Sequence, residues 1–585
     1  MSLDHYIEIE DFKQSEMKFG TLKRLFRYIV HQRRLFAVGC FFILLATITT
    51  LLEPRLFGYA IDEAIVPKKW ELLKTITTLF LGVICLRVCA MIAQAYIFEM
   101  LGQRVMQTLR LELFSHLQAL PVSIYDRNPV GRLITRVTGD VSSMSEMFAA
   151  GFVTMIGNFL IVVGTLSWLM ILNFKLGLIA GSVFPVLIFF SISFSRKLRV
   201  AYQSARALLS SLNAFLAENI LGVKVLHLFN RQKIHLKRFS DVNDAYADAQ
   251  VSSVKVFAYF QPTITWCSGT AIALVIWYGG GMALQNSSGN SHGMTIGVLV
   301  TYFSYVLAMF QPVREMVDKW TVFLSGMTSA ERIFSILDWE TEMSIETAHR
   351  TNSDPVRLKG RITFENVWFA YDKEHWILKD FSVEMNPGSR IGIVGHTGAG
   401  KTTIISLLLR FYEPQRGRIL IDGQDIRSFD KRSLRAAIGI VQQDVFLFSG
   451  STRENITLWK ESDPLEKVAS KELDERGSNL SMGERQMIAF DRALFSNPSI
   501  WILDEATSNV DSTSEKKLVE TLNKEALGKT VILIAHRLAT VRSADQILVL
   551  HKGTLVESGS HSALMKRQGY YSKLYQYQLA VPEPV

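Results

Sequence analysis

The sequence predicts two joined folds: an all-α membrane domain of six spanning helices, then an α/β domain built around a phosphate-binding loop. Three observations predict it. Apolar residues are concentrated before about residue 325, in stretches long enough to cross a bilayer. A glycine-rich loop at 395–402 sits between a strand-like and a helix-like run. At 585 residues the chain also exceeds what one core organises, so at least two domains are expected.

Composition agrees with a membrane half. Hydrophobic residues make up 49% of the chain and mean hydropathy is +0.19, high for a soluble protein. The formal net charge of +9 admits nucleic acid as a partner. Much of that excess, however, flanks apolar segments, where anionic lipid and topology account for it, so no nucleic acid is expected. The four cysteines, Cys40, Cys85, Cys89 and Cys267, fall in apolar stretches without metal-ligand spacing and are read as packing residues.

Spans are expected near 35–56, 73–98, 149–172, 175–195, 257–284 and 294–318, each about 20 residues or more. Residues 1–34 precede them and carry Lys18, Lys23, Arg24, Arg27, Arg33 and Arg34. That segment is too long and too polar for a signal peptide, and no small-residue cleavage site follows the first span. Positive charge recurs between spans two and three (Arg104, Arg110, Arg127, Arg132, Arg136) and between four and five (Arg196, Lys197, Arg199, Arg231, Lys233, Lys237, Arg238). The positive-inside rule then puts the N-terminus and both long loops in the cytoplasm. Apolar residues recur through both loops at helical spacing, so the helices are expected to continue below the membrane. The membrane domain is bounded at 35–325, a linker at 326–356 contains a break near Asp354-Pro355, a nucleotide-binding domain follows at 357–578, and 579–585 is a tail.

The second half carries the chemistry. The run Arg390-Ile-Gly-Ile-Val-Gly395 reads as a buried strand leading into Gly395-His-Thr-Gly-Ala-Gly400-Lys401-Thr402 and then a helical pattern from Thr403 to Arg410. Glycines let backbone N–H groups close around phosphates, and a helix N-terminus favours their charge. Candidate phosphate-binding residues are Gly395, Gly398, Gly400, Lys401, Thr402 and Thr403, with Lys401 reaching the β and γ phosphates and Thr402 ligating Mg²⁺. The apolar run 500–503 delivers Asp504 and Glu505 at a strand end, the first as a Mg²⁺ ligand, the second to polarise the attacking water. A further apolar run, 531–535, ends in His536, and strand ends of this kind converge on one crevice in open α/β sheets.

Residues 357–578 resemble the nucleotide-binding domain of ATP-binding-cassette transporters, a branch of the P-loop NTPases. Leu120-Pro121, Asp126, Pro129-Val-Gly131 and Arg136-Val-Thr-Gly-Asp140 resemble the first cytoplasmic loop of its exporter branch, so nearly the whole chain is covered. The resemblance implies that Tyr371 stacks on adenine, that Gln443 senses the Mg²⁺ site, that His536 contacts the γ-phosphate, and that Asp511 in Ser508-Asn-Val-Asp511 belongs to a loop crossing to a partner domain. It also implies that Ser481 and Gly483, in Leu480-Ser-Met-Gly-Glu484, cap ATP held by the opposite subunit. Each site needs two cassettes and this chain has one. A dimer is therefore implied, with the cytoplasmic loops pressing on the cassettes.

Two features depart from the family pattern. Met482 and Glu484 replace a glycine and a glutamine, crowding the phosphate and adding negative charge. That asymmetry resembles one chain of bacterial multidrug-type heterodimeric exporters, which implies a different chain as the second half-transporter, or otherwise a second copy. The stretch from Trp459 to Glu472 is also shorter than the family's helical subdomain, which puts its coupling role in question. Implied cargo is drug- or lipid-like, hydrophobic or amphipathic, carried across the bacterial inner membrane. The alternative reading is an ATP-binding regulatory or channel-like subunit with weak hydrolysis. In the membrane half, Arg87, Gln311, Arg314 and Glu315 are read with equal weight as a polar cargo pathway or as an internal Arg–Glu pair.

Overall fold

The computed structural model describes residues 19–286, 294–342, 358–372, 375–459, 471–504, 524–525, 527–534 and 541–580. Two compact units emerge, one of residues 1–118 and 129–339, the other of residues 119–128 and 340–585.

The first unit is helical. Its elements are α1 (Phe19–His31), α2 (Arg33–Ala60), α3 (Trp70–Gln118), then, after α4 (Val122–Arg127), α5 (Val130–Thr135), α6 (Val141–Glu146), α7 (Val153–Leu172), α8 (Phe174–Gly181), α9 (Val183–Leu221), α10 (Val223–Leu228), α11 (Gln232–Asn286) and α12 (Ile296–Leu337). Among the described residues six helical stretches are long and apolar enough to cross a membrane. They also outrun it. With 49 residues, α3 is about 74 Å long at ~1.5 Å per residue, more than twice a hydrocarbon core of roughly 30 Å. The long loops are therefore helical continuations of the spans, as their spacing predicts. Residues 326–337, placed in the linker by hydropathy, are instead the end of α12. That stretch is too polar to score as a span, yet Gly326, Met327, Ala330, Ile333 and Phe334 recur at helical spacing and are buried. The break near Asp354-Pro355 lies outside the described residues, and the last helix runs to Ala580, into the stretch read as a tail.

Polar groups inside this unit are mostly answered internally, as lipid requires. Arg87 pairs with Glu53 of α2, while Glu315 accepts from Asn158 and Gln311, each at 3.0 Å. The expected internal Arg–Glu pair thus exists, but its acid is Glu53. Where the C-terminal end of α2 meets the N-terminal end of α12, there is no room for side chains. A Cβ on Gly58 would lie 1.9 Å from Thr301 Oγ1, and one on Gly297 would lie 2.2 Å from the Gly58 carbonyl. Asp62 locks the same junction, accepting from the Thr295 hydroxyl and, at 2.8 Å, from the Gly297 N–H. Of the cysteines, Cys267 is buried in the packing, whereas Cys85 and Cys89 are exposed on α3.

The second unit holds the sheets. Its strands are β1 (Ile362–Phe369), β2 (Leu378–Met385), β3 (Arg390–Gly395), β4 (Arg416–Ile421), β5 (Gln424–Asp425), β6 (Ile438–Val441), β7 (Gly450–Ser451), β8 (Glu472–Leu473), β9 (Ile500–Asp504), β10 (Thr530–Ile534), β11 (Gln546–His551) and β12 (Thr554–Gly559). An antiparallel sheet runs β2-β1-β4-β5 and a larger one β12-β11-β3-β10-β9-β6. All pairings from β11 to β6 are parallel. Both faces of the larger sheet are covered. Ile500 and Ile502 point into one apolar cluster, Trp501 and Leu503 into the other, which is why these strands read as unbroken apolar runs.

Residues 119–128, a short insertion between α3 and α5, belong to this second unit. The Ala119 carbonyl accepts from the Glu342 N–H at 2.7 Å. The Glu342 carboxylate in turn binds Arg435 at 2.8 Å and Lys431 at 3.1 Å. Burial pushes the Glu342 pKa up, but hydrogen bonds from Arg435 and Lys431 outweigh it and hold the carboxyl below its ordinary value.

Candidate nucleotide-binding site

The loop is made by strand β3 ending against its neighbours. At Gly395 a Cβ would lie 2.5 Å from the Leu550 carbonyl, so only glycine lets the chain turn there. Gly398 and Gly400 have φ of +80° and +103°, the left-handed region that side chains disfavour. Gly400 then caps the helix Lys401–Leu408, whose first N–H groups have no intrahelical acceptor. Lys401 is buried and donates to the carbonyls of Gly395 at 2.7 Å and His396 at 3.2 Å. A buried ammonium, two left-handed glycines and a helix N-terminus converge on one concavity. That set fits a polyphosphate: Gly398, Gly400, Lys401, Thr402 and Thr403 would hold it.

Strand register brings the other candidates to the same edge. β9 lies beside β6 with Leu503 opposite Val441, so Asp504 and Gln443 follow adjacent strand ends. A hydroxyl (Thr402), an amide (Gln443) and one carboxylate (Asp504) are hard oxygen donors, suited to a Mg²⁺ that takes its remaining ligands from phosphate and water. Among the described residues no cluster of three or more His, Cys, Asp or Glu side chains competes for a metal. Glu505, Asp511 and His536 lie outside the described residues. The strands that lead to Glu505 and His536 are neighbours, with Leu533 opposite Leu503 and Ile534 opposite Asp504.

Tyr371 follows β1 and is 39% exposed, open enough to receive a base. Its hydroxyl meets Thr403 Oγ1 at 3.2 Å, which ties the candidate adenine residue to the helix after the loop. Its ring packs edge-on against Phe369 and Tyr412, with centroids at 4.9 and 5.0 Å. Tyr412 was not legible as a site residue. Its hydroxyl donates to the Asp126 carboxylate of α4 at 2.5 Å, and Arg127 donates to the Tyr371 carbonyl at 3.2 Å. Burial and the neighbouring Asp126 push the Tyr412 phenol well above its ordinary value, so it stays a donor. Helix α4 is thus fastened to the adenine side of the site. Tyr412 stands four residues past the end of the helix that follows the loop, and spacing alone does not single it out.

This link makes a first prediction. Asp126→Asn removes the charge that strengthens the Tyr412 hydrogen bond. Basal hydrolysis is expected to change less than about twofold, while cargo-stimulated hydrolysis falls several-fold, since a charge-assisted bond contributes roughly 1.5–3 kcal/mol. Phosphate release with and without cargo checks it; unchanged stimulation would dismiss the link.

Ser481 and Gly483 are not brought to the loop within one chain. Ser481 caps the helix Met482–Phe495, accepting from the Glu484 N–H at 3.2 Å, while the Glu484 carboxylate accepts from the Ser481 N–H at 2.8 Å. The negative charge read as hostile to a triphosphate is therefore turned onto its own helix N-terminus, where the dipole favours it. That backbone hydrogen bond lowers the Glu484 pKa. Met482 stands 41% exposed beside it.

Comparisons with known proteins cover both units. Residues 36–313 match the ABC transporter transmembrane region and residues 378–508 match the ABC transporter domain. An uncharacterised ABC transporter ATP-binding protein of Bacillus subtilis, YknV, is 32% identical over 98% of both chains. The ATP-dependent lipid A-core flippase of Thiobacillus denitrificans is 31% identical, over 95% of this chain and 98% of its own. The B. subtilis protein YheH, a probable multidrug resistance ABC transporter ATP-binding/permease protein, is 33% identical over 86% of this chain and 76% of its own. A solved structure of a bacterial Atm1-family ABC exporter with ATP bound superposes with a TM-score of 0.75 at 28% identity, covering 94% of this chain and 99% of that one.

Proposed function

Since the chain belongs to the bacterial ABC exporter family, whose members couple ATP hydrolysis to transport, we propose that it is one half of a heterodimeric exporter of amphipathic, drug- or lipid-like molecules. One observation carries the heterodimer: this chain keeps Lys401, Asp504 and Glu505 for its own site, yet offers Met482 and Glu484 to the partner's. The partner then supplies an intact capping segment and has lost its own catalytic carboxylate. One active site and one degenerate site result. The chain sits in the inner membrane with its N-terminus and cassette cytoplasmic, following the basic loops.

In the active site Lys401 exchanges its contacts with the Gly395 and His396 carbonyls for phosphate oxygens, and Tyr371 carries the base. Thr402, Gln443 and Asp504 would hold Mg²⁺, which would supply charge neutralisation at the phosphates. Glu505 takes a proton from the attacking water as its oxygen bonds to the γ-phosphorus, and the bond to the ADP oxygen breaks. His536 donates to the γ-phosphate. Helix α4, continuous in sequence with α3 and α5, carries the change at the adenine side to the spans.

Native mass spectrometry of the chain gently extracted from its source membrane tests the heterodimer. A second, different half-transporter in the complex, altered where this chain has Glu505, supports it. Two copies of this chain alone would overturn it and leave slow, symmetric hydrolysis. Glu505→Gln in the assembled complex is expected to reduce hydrolysis at least about a hundredfold, the usual scale for a general base. Wild-type turnover in that variant would reject the site assignment.

A further inference from the structure

We propose that a groove between α1 and α3 binds the phosphate headgroup of an anionic membrane phospholipid. Helix α1 is amphipathic and held on one side. Leu25 and Ile29 are buried, Arg24 binds Asp338 at 2.7 and 2.8 Å, and the Tyr28 hydroxyl donates to Glu112 of α3 at 2.8 Å. Its other side is exposed among the described residues. Lys23, Arg27 and His31 stand there with Phe26 and Val30, a polar row with two cations beside an apolar one.

Between the helices lies a groove of about 290 Å³. Arg27, Tyr28, His31 and Gln32 form one wall and Val105 and Thr108 the other. Glu112, its carboxylate engaged by Tyr28, closes one end. The wall from Arg27 to Gln32 carries the N–H donors of Arg27, His31 and Gln32, groups that can donate to phosphate oxygens.

Depth identifies the source of that phosphate. Arg33 and Arg34 are the last charges before the uncharged run 35–52 of α2, and just inside them Phe36 and Gly39 pack against Phe98 of α3. Val105 and Thr108 lie further along α3, roughly 10–15 Å beyond Phe98 at ~1.5 Å per residue. Phe98 itself packs against Phe36 and Gly39, about 3–8 Å inside Arg34. Val105 therefore falls within the headgroup layer, which adds about 5–8 Å on each side of the hydrocarbon, and Thr108 lies at its outer edge. Phe26 and Val30, exposed on the same helix, offer apolar surface to an acyl chain, from which a soluble anion gains nothing. Charge complementarity, that apolar surface and the headgroup depth agree on a lipid of the leaflet that faces the basic loops.

The full complex in nanodiscs of phosphatidylcholine with a minor fraction of phosphatidylglycerol tests the proposal, by native mass spectrometry of the lipids retained. The wild type is expected to retain phosphatidylglycerol over phosphatidylcholine by about fivefold or more, the ratio that one cation at an anionic surface gives. Arg27→Gln with His31→Gln is expected to return the ratio to that of the nanodisc. Thr108→Trp fills the opposite wall without changing charge and is expected to do the same. Undiminished enrichment in Thr108→Trp would reduce the effect to diffuse attraction by the basic helix and overturn the groove. Enrichment that survives Arg27→Gln/His31→Gln, or that millimolar inorganic phosphate abolishes, would overturn the lipid site.

Discussion

Lys401→Met is expected to lower ATP hydrolysis by at least about a hundredfold while leaving the fold in place. The Lys401 stem is buried among the residues that follow the loop, and its ammonium is held by the Gly395 and His396 carbonyls. Methionine keeps the length and apolar character of that stem. What it loses is the charge that follows the phosphates into the transition state, and removing one such donor commonly costs about 10²–10³ in rate. The Gly395 carbonyl also loses that donor, a penalty of about 1–3 kcal/mol when water cannot enter, whereas the His396 carbonyl keeps the Ala399 N–H at 3.0 Å, so the variant is expected to melt a few degrees lower at most. Phosphate release at saturating ATP, normalised to complex of verified size, is the measurement. Hydrolysis within twofold of wild type would remove Lys401 from the site.

Gly297→Leu is expected to cut the yield of correctly folded chain several-fold. The substituted Cβ would lie 2.2 Å from the Gly58 carbonyl and 2.5 Å from the Asp62 carboxyl carbon, and the Gly58 backbone cannot retreat without parting α2 from α12. The Asp62 bonds to Thr295 and to the Gly297 N–H are lost with the junction. In a membrane, close approach of backbones is a main source of helix–helix affinity, so no hydrophobic gain compensates. Gly82→Leu on α3 is the control, because nothing among the described residues lies within 4 Å of its added Cβ. Size-exclusion profiles of detergent extracts compare the two. Equal monodisperse yields would show that the glycine contact is dispensable.

The spans and the phosphate loop were legible because each is a local pattern: an apolar run of membrane length, or glycines between a strand and a helix. Long-range partners were not. Tyr412 and Asp126 are 286 residues apart, and no periodicity links them. Arg87 announced itself as a costly charge, but its counter-ion Glu53 lies 34 residues away on another helix. The end of α12 was missed because hydropathy averages over a window, and an amphipathic helix averages to nothing. Glu484 was read as a charge near a ligand, although Ser481 three residues earlier is the signature of a capping box.

The insertion 119–128 sets an order of events for biogenesis. At about 5–20 residues per second, α4 leaves the ribosome some tens of seconds before Tyr412 exists to receive Asp126. The second unit therefore cannot finish folding as an autonomous C-terminal module; it waits for a piece made early and held between two spans. A cassette produced alone as residues 357–578 lacks both that piece and Glu342. Lys431, Arg435 and Tyr412 would then each lack the acid that binds it here. The isolated domain is expected to be less soluble than one that begins at Glu340, which restores Glu342, and is supplied in trans with residues 119–128, which restore Asp126.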